Sequence, residues 1–154
     1  MSAIAITLHV LAAIIWVGGM FFGFMAVRPA LGDLETKIRA RIWVGIFRRF
    51  FPWVWGSIVV LLATGFYLAK DSFDGLSHAP LFVHVMMGVG ILMMLLFGHL
   101  YFAPYKRLQR AVAAGDDALA AKSMAQIRIT MAVNLILGIV VVLDAMFGAF
   151  TAFN

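Results

Sequence analysis

The stretch LHVLAAIIWVGGMFFG, residues 8–23, is apolar along its length except for one ionisable side chain, His9. A bilayer's hydrocarbon core, about 30 Å thick, takes roughly 20 residues of helix to cross, and the apolar run around this stretch is long enough to do so. Three further runs match it, so the sequence predicts membrane-spanning helices over residues 4–27, 50–69, 81–103 and 128–151. Inside hydrocarbon every backbone N–H and C=O must be paired within the protein, which selects helices packed as a bundle. The expected fold is therefore all-α: an integral membrane four-helix bundle forming a single transmembrane domain over residues 1–154.

The composition agrees. The chain is 64% hydrophobic and 12% charged, too apolar for a water-soluble domain. No Lys or Arg precedes the first span, and its apolar run exceeds the roughly 7–15 residues of a cleavable signal core, so it is expected to remain in the mature protein. The chain has no cysteine, which excludes disulfides, thiolate metal sites, covalent c-type haem attachment and iron–sulfur clusters together. Any metal or redox chemistry must use His, Met, carboxylates or a cofactor.

The net charge of +5 is explained by where the charges lie. Arg28, Lys37, Arg39, Arg41, Arg48, Arg49, Lys106, Arg107, Arg110, Lys122 and Arg128 fall in or beside the two long loops, and Lys70 alone lies beyond the opposite ends of the spans. That asymmetry is the positive-inside pattern of a multi-pass protein of a bacterial inner (plasma) membrane. It places the long loops in the cytoplasm and both termini on the outer, periplasmic side. Nucleic acid is not an expected partner; the lipid bilayer is.

Between the first two spans, RPALGD (28–33) stops a helix at Pro29 and Gly32. Leu34, Ile38, Ile42 and Ile46 then recur at helical spacing, as an interfacial helix or an inward extension of the second span. The second basic loop reads as a helical stub, a Gly-Asp-Asp turn with an N-cap, and an amphipathic run into the fourth span. Arg48 and Arg49 suit interfacial anchoring beside Trp43, Trp53 and Trp55, or pairing with propionates or lipid phosphates. Small residues mark faces that can pack closely: Gly19 and Gly23, Gly88, and Gly138, Ala145 and Gly148. They serve helix contacts, the approach of a flat macrocycle or, at Gly19 and Gly23, a homodimer.

Polar groups inside a membrane are costly and invite a functional reading. His9 and His84 lie near the same ends of the parallel first and third spans, at nearly equal depth, with Asp144, Thr64 and Tyr67 close to that layer. Two imidazoles facing across a bundle are what a six-coordinate b-type haem requires, with Asp144 fixing the tautomer of a ligating His from behind and Trp16 beneath His9. On this reading His9 and His84 are axial ligands, the metal is haem iron, and the protein transfers electrons as a haem-dependent membrane oxidoreductase with a quinone or redox protein as partner. His99, about 22 Å further along the third span at 1.5 Å per residue, is a further cofactor-binding candidate, holding a second haem with a Met such as Met20 or Met25, or else it hydrogen-bonds, binds a substrate group or meets another subunit. His78 is a loop residue. Met86, Met87, Met93 and Met94 offer soft thioethers for Cu(I), or simply fill the core.

LHVLAAIIWVGGMFF (8–22) and FRRFFPWVWGSIVVLLATGFYLA (47–69) resemble the first two helices of the copper resistance protein D (CopD) family. The layout is also similar to the related membrane protoporphyrinogen oxidases. The first resemblance implies copper transport or resistance, with copper in place of haem at the same layer. The second implies oxidation of a tetrapyrrole precursor.

Overall fold

The computed structural model describes residues 2–153, with side chains described over 3–151; residues 1 and 154 of the expected domain lie outside the described residues. Four helices account for nearly all of it: α1 (Ala3–Ala30), α2 (Thr36–Phe73), α3 (Leu81–Ala114) and α4 (Asp117–Phe153). All four are long and apolar enough to cross a membrane. A single 3₁₀ turn, Leu76–His78, lies between α2 and α3.

The helices outrun the predicted spans on the basic side. The second is a single helix of 38 residues that passes through Pro52, so the amphipathic segment of the first basic loop is an inward extension of the second span. At 1.5 Å per residue it is about 57 Å long, well beyond the hydrocarbon core. It ends where Asp74 (φ 56°) and Gly75 (φ 115°) turn left-handed, a backbone that glycine adopts without strain. Gly115 (φ 70°) stops α3 in the same way. Asp116 then caps α4, its carboxylate accepting the Leu119 N–H at 2.9 Å, which is the N-cap anticipated in the Gly-Asp-Asp turn.

Three wide π turns interrupt α1 and α3: Ile14–Gly18, Gly23–Val27 and Tyr101–Tyr105. Each inserts residues into the helical repeat and shifts the face that follows it. In α1 the consequence is visible. His9 faces α2, whereas Trp16 is turned toward α3 and meets Phe97 edge-on at 6.1 Å.

α1 packs along α2, and α3 along α4. The two pairs join in the middle and at the basic end, where Trp16, Phe47, Phe51, Phe97 and Tyr105 form one aromatic core. Phe51 stacks on Phe47 at 4.9 Å and meets Phe97 and Tyr105 edge-on at 5.3 and 4.9 Å, geometries that add to simple burial. Large apolar residues such as Ile4, Phe22, Leu95, Ile136 and Phe147 are exposed, as befits a surface whose solvent is lipid.

Glycines set the close approaches. A Cβ on Gly19 would collide with the Phe50 ring, one on Gly138 would lie 2.8 Å from Val17, and one on Gly148 would collide with Phe82. These three contacts are within the chain, between α1 and α2, α1 and α4, and α3 and α4. Gly19 thus serves a close contact with α2, and Gly138 and Gly148 serve close contacts with α1 and α3. Gly88 has nothing within 4 Å.

Candidate functional site

At the end of the bundle that carries the termini, His9 is half-buried against α2. Its Nδ1 lies 2.8 Å from the Thr64 hydroxyl, which donates its own proton to the Val60 carbonyl at 2.6 Å. A hydroxyl has one proton to give, so Nδ1 carries the imidazole proton and donates it to Thr64. Nε2 is then left as the lone-pair nitrogen, able to accept a proton or bind a metal. The ring lies over Gly65, whose Cβ position is 3.5 Å from His9 Cε1, ordinary van der Waals contact.

His84 bonds within its own helix. It is exposed, and its Nδ1 donates to the carbonyl of Pro80, one turn back at the start of its own helix, at 3.2 Å. The Nδ1 atoms of the two expected ligands are thus bonded separately, that of His9 to α2 and that of His84 to the start of its own helix. Asp144 joins neither ring; its Oδ2 is buried without a hydrogen-bond partner. Trp16 belongs to the aromatic core, and Tyr67 is exposed and bonds Asp71 at 3.4 Å. His99 is exposed, as is Met25, while Met20 is buried. His78 contacts its neighbour Ser77. Among the described residues no group of three or more His, Cys, Asp or Glu is placed to hold a metal ion.

A second arrangement lies at mid-bundle. Met131, Asn134 and Gly138 are spaced by three and four residues, so they share one face of α4. That face points inward: the Cβ position of Gly138 lies 2.8 Å from Val17 and 3.3 Å from the Met93 methyl, and that of Gly23 lies 3.8 Å from the Met131 methyl. On α1, Met20 falls between Val17 and Gly23, at the level of Asn134. Met20, Met93 and Met131 are only 3%, 4% and 8% exposed, which puts three thioethers in the interior, one from each of three helices.

Asn134, 1% exposed, is the polar group among them. Its Nδ2 donates to the Met93 carbonyl at 3.2 Å. Because that partner can only accept, the amide orientation is settled and Oδ1 points away. Oδ1 is buried with no hydrogen-bond partner, a costly state for an amide oxygen in an apolar interior. The sequence reading used Asn134 only as a depth marker; the available signal was an uncharged polar side chain in the middle of an apolar span. Of the third-span Met doublets, only Met93 is buried, and Met20 and Met131 join it from elsewhere.

The family model for copper resistance protein D matches residues 44–147. No curated protein and no solved structure matches. Thr64, Met93, Met131, Asn134 and Asp144 lie inside the matched stretch, and His9 and Met20 precede it.

Proposed function

Because the chain belongs to the copper resistance protein D family, we propose that copper is its cargo, carried as Cu(I) through the bundle by the buried thioethers of Met20, Met93 and Met131. Soft, polarisable sulfur suits Cu(I), whereas Cu(II) prefers imidazole and carboxylate. The donor set fits that division: thioethers line the interior, and the described residues offer no cluster of hard donors. Neutral thioethers hold the ion weakly enough to release it, which passage requires and permanent storage does not. Asn134 Oδ1 adds a dipole whose negative end has no other partner, and His9 Nε2 supplies a borderline donor nearer the terminal end. We place the basic loops in the cytoplasm from the charge asymmetry, which puts His9 and both termini on the outer side of a plasma membrane.

The observation that carries this reading is three thioethers and an unpartnered amide oxygen buried in the interior of a copper-resistance family bundle. Haem b has less behind it: the family to which the chain belongs is one of copper resistance. Purified protein in liposomes enclosing a Cu(I)-sensitive dye tests the proposal. Wild type should admit Cu(I) faster than empty liposomes, with a Met20→Leu/Met93→Leu/Met131→Leu variant at least tenfold slower. A wild-type rate equal to that of empty liposomes would overturn it, and so would a triple variant as fast as wild type.

A further inference from the structure

At the basic end a cavity of about 600 Å³ opens between the end of α1, the start of α2 and the first turns of α4, within the size range of ligand sites. Its walls include Phe24, Phe47 and Ile127, and its charged groups are Arg28, Arg39 and Arg128. The three guanidiniums come from three different segments, so their convergence is a product of the fold rather than of one basic run.

Two of them are positioned. Arg39 donates to the Gly32 carbonyl at 3.1 Å, and the Arg28 guanidinium lies over the Phe24 ring at 5.0 Å. None of the three is paired with a carboxylate among the described residues, although Asp33 and Glu35 sit in the same short connection. A guanidinium has five N–H donors in a planar fork suited to phosphate oxygens, and most of those here are left for a ligand. The apolar wall continues into the core through Phe47 and Ile127, and the π turn Gly23–Val27 forms part of it.

We infer that this cavity binds an anionic phospholipid, with the arginines on its phosphate diester and an acyl chain entering along the apolar wall. Charge complementarity demands the anion, and the apolar wall favours an amphiphile over a soluble ion. The cavity also lies where α1 leaves its apolar run at Arg28 and Pro29, the depth at which lipid phosphates sit.

Native mass spectrometry of the full chain, incubated in detergent with phosphatidylglycerol or phosphatidylcholine, tests this. Wild type should retain phosphatidylglycerol at least tenfold better, and Arg28→Gln/Arg39→Gln/Arg128→Gln should lose that preference. Arg41→Gln/Arg49→Gln/Arg110→Gln, which removes the same charge from the same end outside the cavity, should keep it. Ala121→Trp, on the cavity lining, leaves every charge in place and fills volume; it should also weaken retention. Equal losses in the two arginine variants would reduce the site to general surface charge and overturn the inference. Displacement of the lipid by millimolar inorganic phosphate would overturn it in favour of a soluble-anion site.

Discussion

The Thr64 hydroxyl accepts from His9 Nδ1 at 2.8 Å while giving its own proton to Val60 at 2.6 Å, so one side chain of α2 selects the tautomer of an imidazole on α1. Orienting one nitrogen of a histidine to free the other is how proteins prepare an imidazole for a metal or a proton.

Thr64→Val keeps the shape and removes the acceptor. His9 should then show a mixture of tautomers in its ring ¹⁵N shifts where wild type shows the Nδ1–H form, and thermal stability should fall by roughly 1 kcal/mol, the net value of one hydrogen bond. Thr64→Ser should restore the wild-type ¹⁵N pattern. An unchanged tautomer in Thr64→Val would mean that another group orients the ring.

Asn134→Leu should separate stability from function. It removes a buried oxygen without a partner, a state that costs roughly 1–3 kcal/mol, and gives up a hydrogen bond to the Met93 carbonyl worth about 1 kcal/mol or less. The variant should therefore unfold in detergent no more readily than wild type while admitting Cu(I) more slowly. A markedly destabilised Asn134→Leu protein would instead assign the residue to helix packing.

Glycine-to-alanine substitutions should sort by contact rather than by helix. Gly148→Ala drives a methyl into Phe82, whereas Gly88→Ala meets nothing within 4 Å. Overpacking of this kind costs about 1–3 kcal/mol, so thermal unfolding in detergent should show a clear loss for Gly148→Ala and none for Gly88→Ala.

The four helices were legible in the sequence because hydropathy over a bilayer's thickness is a strong, local signal, and the Gly115–Asp116 stop and cap were legible because turn chemistry is local too. The joining of the first basic loop to α2 through Pro52 was half-legible: the helical spacing of Leu34, Ile38, Ile42 and Ile46 was there, but a proline reads as a break unless neighbouring packing is known. Equal depth suggested that His9 and His84 face each other. Depth, however, says nothing about direction around a helix, and the π turn at Ile14–Gly18 accompanies a turn of Trp16 away from the face of His9 that leaves no mark in composition. The inward grouping of Met20, Met93 and Met131 depends on three helix rotations at once, and the arginine cavity on three segments distant in sequence.

The methionines also allow a test by contrast, because those among the described residues differ in burial but not in chemistry. Met25 is exposed, whereas Met20, Met93 and Met131 are in the core. Leu is close to Met in volume, and such swaps usually cost under about 1.5 kcal/mol, so each variant should fold. Silver(I), a soft monovalent ion that does not change oxidation state under these conditions, separates ligand softness from redox chemistry. Entry of Ag(I) into liposomes should fall severalfold for Met20→Leu, Met93→Leu and Met131→Leu taken singly, and stay at the wild-type rate for Met25→Leu. If all four behave alike, the buried thioethers are packing residues, and the cargo must take a path that begins with His9 Nε2 and avoids the mid-bundle face of α4.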